Sequence, residues 1–343
     1  MEAQPSMPSC AAARCTRMVW LANHRNTETS DLKAEGGILK RIYIAGCGGM
    51  LGQAFHKVFS REAELRCTDK DVNETWLEPL DFRDFDHYRK DVEDFRPDAL
   101  FHLGAHTDLE YCERHVEDTY LTNTLAVENA VAIANRLDVP LLYISTAGIV
   151  DGLQQEYDDW DMPNPLGHYA RSKYAGEVHV LRHARRPMVC RAGWMMGGGP
   201  RKDKKFIAKL MRQIQAGRTE LAVVGDKLGT PTYTFDFAEN VRALLDTEFW
   251  GVYNMVCEGA TSRVEVAQEL VRLLGEQERV RIRVVDSTHF QKEYFAPRPD
   301  SERLVNRKLA LRGLNLMRDW RVSLREYVHE AWSGATRREE VSV

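Results

Sequence analysis

The sequence predicts an α/β fold: a doubly wound parallel sheet with helices on both faces, followed by a smaller α/β lobe. In the first half of the chain, short apolar or β-branched runs alternate with helical segments, which is typical of consecutive β-α-β units. A glycine-rich turn joins the first of these strands to the first helix. The second half is less regular, and we expect it to form the smaller lobe.

The individual elements are predicted from apolar periodicity and from the glycines and prolines that interrupt it. Strands are predicted at residues 41–45, 65–68, 99–103, 140–145, 188–191, 221–224, 252–255 and 280–285. Helices are predicted at residues 50–60, 84–95, 119–137, 166–183, 204–215, 234–245 and 263–274. Ligands of such a sheet bind beyond the carboxyl ends of the strands, so the residues after each strand are the candidate site.

Composition excludes several classes of protein. The chain has 343 residues and a net charge of −4, without the basic excess of nucleic-acid-binding proteins. No apolar run approaches the ~18 residues of a membrane-spanning helix. The seven cysteines form no CxxC pair and no cluster with zinc-ligand spacing, which indicates a reduced, cytoplasmic protein without a metal site.

The turn after the first strand fits the pattern GxxGxxG. The first glycine permits a tight turn, the second lets the backbone approach a pyrophosphate, and the third lets helix and strand pack closely. The N–H groups at the helix N-terminus also attract phosphates. Glycine triplets occur in ordinary turns too, but the position between strand and helix favours a Rossmann-type dinucleotide site. The predicted cofactor-binding residues here are Gly46, Gly49, Met50, Leu51 and Gly52.

Two further pairs are predicted to contact the cofactor. Asp69 ends the second strand, where an acid can accept hydrogen bonds from the ribose hydroxyls; the alternative is an ordinary turn residue. Asp69 would favour NADH by repelling a 2′-phosphate, whereas Lys70 would favour NADPH by pairing with it. Asp81 and Phe82 are predicted to border the adenine; the alternative is a helix cap at Asp81 and a core position for Phe82.

The catalytic candidates are a tyrosine and a lysine in the motif YxxxK. Tyr169 and Lys173 are four residues apart on a predicted helix, so they share one face. A nearby ammonium is expected to lower the pKa of the tyrosine, which would then protonate a carbonyl oxygen as hydride arrives at carbon. Thr146, or Ser145 as the alternative, ends the fourth strand and is expected to hydrogen-bond the same oxygen. Tyr169 and Lys173 are predicted to contact the cofactor as well, with Lys173 at the nicotinamide ribose. By itself YxxxK also fits an ordinary surface pair.

These motifs divide the chain into four expected parts. We predict a flexible N-terminal extension at residues 1–39 and a frayed tail at residues 333–343. The NAD(P)-binding domain is expected at residues 40–195, with returning segments near 222–250. The substrate-binding lobe is expected mainly at residues 196–332.

From about Arg41 to Trp332 the chain resembles the extended short-chain dehydrogenase/reductase family, and within it the dTDP-4-dehydrorhamnose reductases. The strand-end Ser-Thr and the YxxxK motif contribute to this likeness. Its other supporting stretches are Gly-Ala-His-Thr at residues 104–107, Arg-Ala-Gly-Trp at 191–194, Gly-Asp-Lys-Leu-Gly-Thr-Pro-Thr-Tyr at 225–233 and Ala-Pro-Arg-Pro at 296–299.

The resemblance implies that NADPH or NADH delivers hydride to C4 of a nucleotide-linked 4-keto-6-deoxy sugar. It assigns Thr146, Tyr169 and Lys173 to catalysis. Some members of the family form dimers around a magnesium ion, so a homodimer is one expectation from the resemblance. No motif in this sequence places ligands for that ion, so no metal is expected. The resemblance further places Gly104 and Ala105 beside the cofactor, Thr107 and Leu109 near the sugar, Trp194 against the substrate, and Arg298 facing the diphosphate.

The chain also departs from the family. Ala147 stands where the family carries an acid after the strand-end threonine, and Met195-Met196 replaces Val-Tyr. These departures indicate a changed sugar pocket. Two alternatives to a reductase are an epimerase of the same fold and a non-catalytic NAD(P)-binding regulatory subunit; retention of the three catalytic residues argues against the second. Trp194 as a core residue and Arg298 as a surface arginine are the alternatives at those positions.

Overall fold

The computed structural model describes residues 40–332, so the predicted N-terminal extension and tail lie outside the described residues. The strands are β1 (Lys40–Ala45), β2 (Ala63–Asp69), β3 (Leu77–Pro79), β4 (Ala99–His102), β5 (Leu141–Thr146), β6 (Pro187–Ala192), β7 (Trp194–Met196), β8 (Glu220–Val224), β9 (Leu228–Gly229), β10 (Pro231–Tyr233), β11 (Gly251–Asn254), β12 (Thr261–Ser262), β13 (Arg281–Val285) and β14 (Ser301–Glu302). The helices are α1 (Met50–Phe59), α2 (Phe85–Phe95), α3 (Leu109–Arg114), α4 (Val116–Tyr120), α5 (Ala126–Leu137), α6 (His168–His183), α7 (Gly199–Lys202), α8 (Phe206–Gln215), α9 (Thr234–Leu245), α10 (Arg263–Leu273), α11 (Arg307–Arg312) and α12 (Trp320–Trp332).

Seven parallel strands form the main sheet in the order β11-β6-β5-β4-β1-β2-β3. The chain runs outward from β1 to β3, returns to β4 on the other side of β1, and then continues to β6 and β11. The strand order therefore reverses between β1 and β4, and the crevice at this switch point is where such sheets bind ligands. The predicted doubly wound α/β fold is confirmed.

Apolar side chains cover both faces of this sheet. On one face, Phe55 and Phe59 of α1 pack against Phe101 of β4, with Phe237 of α9 beside them. The helices α2, α5 and α6 cover the other face with buried residues of a second apolar cluster. Buried β-branched and aromatic residues explain why the strands read as continuous apolar runs.

The helix predicted at residues 119–137 is interrupted in the structure. Helix α4 leads into a π-helical segment, Leu121–Leu125, before α5 begins. Here Asn123 bonds to the backbone of His106, which follows β4, and to the side chain of Ser172 on α6. The irregular turn thus connects two segments that contribute to the candidate site, as π-bulges often do.

The second half of the chain contributes to several sheets. Strand β11 extends the main sheet beside β6, whereas β8 pairs with β13 in a separate two-stranded sheet. The short strand β9 pairs with β12 and β14, and β7 pairs with β10. The proposed division into a cofactor domain and a substrate lobe stays a prediction.

Candidate active site

The glycine-rich turn lies at the switch point, and two of its glycines are required by close packing. Gly46 has a φ of +76°, and a Cβ there would lie 2.3 Å from the Cα of Gly104. A Cβ on Gly52 would lie 1.9 Å from the carbonyl oxygen of Cys47. Neither position accepts a side chain without displacement of the backbone, so both glycines hold the turn against its neighbours.

Gly49 has a different environment, because a Cβ there would meet nothing within 4 Å. It precedes Met50 and Leu51 in the first turn of α1, and no side chain of the described residues caps this helix. Free N–H groups at a helix N-terminus and open space above them are the features that a pyrophosphate requires. The turn therefore fits a bound dinucleotide.

Asp69 holds this turn in place. Its carboxylate accepts hydrogen bonds from the backbone N–H groups of Gly48 and Asp71, each at 2.9 Å. The structure thus shows the turn role that was the alternative for this residue, while Lys70 beside it is exposed. Contact of either residue with the cofactor ribose stays a prediction.

Asp81 and Phe82 lie beside the same crevice. Asp81 forms an ion pair with Arg83, which also reaches Asp118 at 3.1 Å. The helix cap suggested as an alternative for Asp81 is wrong, because Asp84 caps α2 by accepting from the N–H of His87. The Phe82 ring lies against Gly104, where a Cβ would approach it to 2.2 Å. Ala105 follows, half-buried, and the cofactor role of these residues stays a prediction.

Thr146 and Tyr169 come together at the carboxyl end of β5. The Thr146 hydroxyl accepts from the N–H of Gly148 at 3.1 Å. Burial raises the pKa of Tyr169 to about 12, and the hydrogen bond with Thr146 opposes this shift. The expected lowering of this pKa is wrong for the protein without ligands, because removal of the phenol from water outweighs the other effects. Tyr169 accordingly keeps its proton at neutral pH.

Lys173 is almost fully buried one turn further along α6. Only 3% of its surface is exposed, and Nζ lies 4.2 Å from the ring centroid of Tyr143. Burial lowers the pKa of Lys173 to about 7, and Glu177 opposes this shift. An ammonium in this position is costly until a ligand or counter-charge arrives.

The four predicted substrate residues lie on other elements, and their contact with a substrate stays a prediction. Thr107 accepts two hydrogen bonds from Lys205 Nζ, at 2.9 and 3.1 Å, and Leu109 begins α3. Trp194 begins β7, and its Nε1 donates to Glu302 at 2.6 Å. Arg298 forms an ion pair with Glu110 at 2.6 Å, which neutralises the cation expected to face a diphosphate.

Arg263 lies beside the predicted substrate residue Trp194, and the sequence motifs did not indicate it. Its guanidinium stacks on the Trp194 ring, 3.6 Å from the centroid, and no acid pairs with it among residues 40–332. Burial lowers the pKa of Arg263 to about 10, while Glu302 opposes this change. Arg263 follows Ser262, whose capping box with Glu265 fixes the start of α10. That capping pattern is visible in the sequence, but it does not show which way Arg263 points.

Two other features are absent from the described chain. Residues 40–332 contain no group of three or more His, Cys, Asp or Glu side chains placed to hold a metal ion. Within the same range, no helix has both the length and the apolar character needed to cross a membrane.

The Rossmann-type sheet, its glycine turn and the strand-end Thr-Tyr-Lys group define a dinucleotide-dependent oxidoreductase of the extended short-chain dehydrogenase/reductase class. A family model described as the RmlD substrate binding domain matches residues 40–332. The chain therefore belongs to this family, and the predicted resemblance is confirmed.

Relatives of the chain carry several descriptions. A dTDP-4-dehydrorhamnose reductase of Mycobacterium tuberculosis is 31% identical over 294 residues, covering 84% of this chain and 92% of the relative. The structure of a Bacillus anthracis dTDP-4-dehydrorhamnose reductase in complex with NADP has a TM-score of 0.78 and 26% identity, covering 85% and 99%. The zebrafish (Danio rerio) methionine adenosyltransferase 2 subunit beta is 27% identical over 234 residues, covering 66% and 72%.

Proposed function

We propose that the protein uses NADPH or NADH to reduce the 4-keto group of a nucleotide-linked 6-deoxy sugar, as a dTDP-4-dehydrorhamnose reductase does. The observation that carries this proposal is that Thr146 and Tyr169 border the same space beside Gly148 at the carboxyl end of β5, with Lys173 buried one turn away. A family of 4-keto sugar reductases supplies the substrate class.

The chain's residues have distinct tasks in this reaction. The reduced nicotinamide supplies the hydride when it is bound. Tyr169, protonated at neutral pH because its pKa is about 12, donates its proton to the carbonyl oxygen as negative charge develops there. Thr146 hydrogen-bonds the same oxygen and orients it. Lys173 in its ammonium form favours the tyrosinate that remains after the transfer.

The binding residues divide between the two sides of the crevice. The N-terminus of α1, with Gly49 as the open position, receives the pyrophosphate of the dinucleotide. On the other side, Arg263 offers a guanidinium without an acidic partner in residues 40–332 to the diphosphate of the nucleotide sugar, since Arg298 is engaged by Glu110. Arg298 contacts the substrate in this proposal only if Glu110 releases it. Guanidinium groups suit phosphates because they donate in a planar fork.

A regulatory subunit is the second candidate, and a specific observation favours it: the zebrafish relative is described as a subunit of another enzyme. The presence of Thr146, Tyr169 and Lys173 in one site favours catalysis over this alternative. An epimerase of the same fold stays a further alternative. Reduction and epimerisation differ in stoichiometry, because only reduction consumes the reduced cofactor.

We further propose that the protein is cytoplasmic and forms a homodimer. The five cysteines of the described chain are buried and free, as expected in a reducing compartment. On the surface formed by the π-helical segment, Leu121 and Leu125 are 39% and 48% exposed, and apolar side chains of this kind suit a contact between copies. Sedimentation velocity of wild type and of a Leu121→Glu, Leu125→Glu variant tests the dimer.

The reaction is tested by mixing pure protein with NADPH or NADH and a dTDP-4-dehydro-6-deoxy sugar. We expect the absorbance of the reduced nicotinamide to fall with formation of one equivalent of the 4-hydroxy sugar. Tyr169→Phe should retain cofactor binding and lose most turnover. Absence of cofactor oxidation with 4-keto nucleotide sugars, or full turnover by Tyr169→Phe, would contradict the proposal.

A further inference from the structure

Glu302 brings a carboxylate to the site from a distant part of the chain. It lies on the two-residue strand β14, which pairs with β9. If Gly148 carried a Cβ, that atom would lie 3.4 Å from Glu302 Oε1, 3.5 Å from Thr146 Oγ1 and 3.9 Å from Tyr169 Cε1. The carboxylate, the hydroxyl and the tyrosine ring therefore surround one small space, which the absent side chain of Gly148 leaves open.

Only one oxygen of this carboxylate is paired within the described chain. Oε2 accepts the 2.6 Å hydrogen bond from Trp194 Nε1, whereas Oε1, on the side of Thr146, has no donor among residues 40–332. Ala147 and Gly148 have no polar side chains that compete for this position. A carboxylate oxygen has room for about two hydrogen bonds, so Oε1 is an acceptor available to a ligand.

The position of Glu302 is fixed by its neighbours. Trp194 packs against Gly229, where a Cβ would approach its ring to 2.2 Å. Arg263 covers the ring face of the same tryptophan. A binding group held in this way loses little conformational freedom when a ligand arrives.

The proposed substrate has a donor that suits this oxygen. In a 4-keto-6-deoxyhexose, the carbonyl carbon C4 is flanked by C3, which carries a hydroxyl, and by C5, which carries the ring oxygen and the methyl group. The C3 hydroxyl is therefore the only hydroxyl vicinal to the reacting carbonyl. When that carbonyl is bound at Thr146 and Tyr169, the vicinal hydroxyl is near enough to reach the space that Glu302 borders.

We propose that Glu302 determines substrate specificity by accepting a hydrogen bond from the C3 hydroxyl of the 4-keto sugar, an inference that rests on the proposed function. Glu302 then fixes the rotation of the sugar ring about the C4 carbonyl bond, whose oxygen Tyr169 protonates. A sugar without the C3 hydroxyl leaves the carboxylate unpaired, and sites of this kind discriminate strongly against such analogues.

The experiment compares two substrates, dTDP-4-dehydrorhamnose and its 3-deoxy analogue, in wild type, Glu302→Ala and Glu302→Gln. We expect wild type to prefer the hydroxylated sugar by about 100-fold or more in kcat/KM. Glu302→Ala should lose most of this preference, by a large fall with the hydroxylated sugar and a change of only a few fold with the analogue. Glu302→Gln keeps one acceptor oxygen, for which Trp194 Nε1 and the C3 hydroxyl compete, so its preference should lie between the two.

Controls separate the two kinds of failure. Glu220→Ala removes a surface carboxylate paired with Arg283 and should leave both substrates at wild-type rates, and NADPH titration of each variant checks that the cofactor site is intact. Absence of turnover by wild type with both sugars contradicts the proposed function itself. Turnover by wild type with an equal loss on both sugars in Glu302→Ala overturns the role of Glu302 and leaves the proposed function standing.

Discussion

Glu177 and Arg191 form a buried ion pair at 2.6 Å, one turn of α6 beyond Lys173. Both side chains are almost completely removed from solvent, at 1% and 6% exposure. The negative charge of Glu177 favours the ammonium form of Lys173, whose pKa burial lowers to about 7. The pair therefore connects a core interaction with the charge state of a candidate catalytic residue.

Glu177→Gln should shift the pH dependence of turnover. The Lys173 ammonium is lost as the pH rises through its pKa, so a rate that depends on this ammonium falls on the alkaline side. Removal of the Glu177 charge lowers that pKa further, and the fall should begin at a lower pH. Profiles of kcat/KM between about pH 5 and 9 measure this effect around the shifted pKa, with circular dichroism as a check of folding. An unshifted alkaline limb would show that Lys173 does not depend on Glu177.

Arg191→Met should destabilise the protein by about 3–5 kcal/mol, because it leaves the Glu177 carboxylate buried without its partner. Urea unfolding followed by fluorescence measures the loss. The double variant Arg191→Met, Glu177→Leu provides the matched comparison, since it removes both charges and should recover much of the stability. A double variant no more stable than the single one would contradict this electrostatic explanation.

The glycine turn offers a pair of matched substitutions. Gly46→Ala places a methyl group 2.3 Å from the backbone of Gly104 at a φ of +76°, so we expect a markedly lower melting temperature. Gly49→Ala adds the same methyl group where nothing lies within 4 Å and should leave the melting temperature within a few degrees. It should nevertheless weaken NADPH binding, measured by fluorescence titration, because the methyl group enters the expected pyrophosphate position. Unchanged affinity in Gly49→Ala would remove that assignment.

Because of His102, we expect the free energy of unfolding to fall in acid. It is buried at the end of β4 with both ring nitrogens unpartnered among the described residues, and burial lowers its pKa to about 3. The unfolded chain takes up this proton near the ordinary value of about 6.5. The stability contributed by the neutral ring is therefore complete above about pH 6.5 and falls as the pH decreases towards about 3.

The comparison for this prediction is His102→Leu, which has no titrating group. Unfolding free energies measured from about pH 7 to pH 4, across the unfolded-state pKa, should fall more steeply in wild type than in the variant. The difference should grow by about 1.4 kcal/mol for each pH unit below the unfolded-state pKa. Parallel curves for the two proteins would mean that His102 is not the group responsible.

Local sequence signals predicted the features that depend on neighbouring residues. The glycine turn, Thr146 at a strand end and the spacing of Tyr169 and Lys173 each combine a local motif with a local element, and the parallel sheet follows from their alternation. Strands of two or three residues, such as β9 and β14, are too short to show an alternating pattern. They were consequently missed, although they position part of the candidate site.

Side-chain direction and burial are the other features that the sequence patterns did not predict. Arg263 and Glu302 approach Trp194 from separate segments, and only the tertiary fold brings the three together. Arg298 was identified by its motif, but its ion pair with Glu110 joins residues far apart in the chain. The pKa of Tyr169 was expected to be lowered because of the lysine one turn away. In the structure, desolvation of the phenol dominates and raises the pKa instead.

Strand β11 has a consequence for how the protein is made. It covers the edge of β6 by pairing with it and is the outer strand on that side of the main sheet, yet it is synthesised only after β7 to β10 and the helices α7 to α9. During translation β6 therefore presents unpaired N–H and C=O groups, which can recruit strands of other chains. A chain truncated before residue 251 to isolate the cofactor-binding half would keep that edge permanently open, and aggregation is its expected fate.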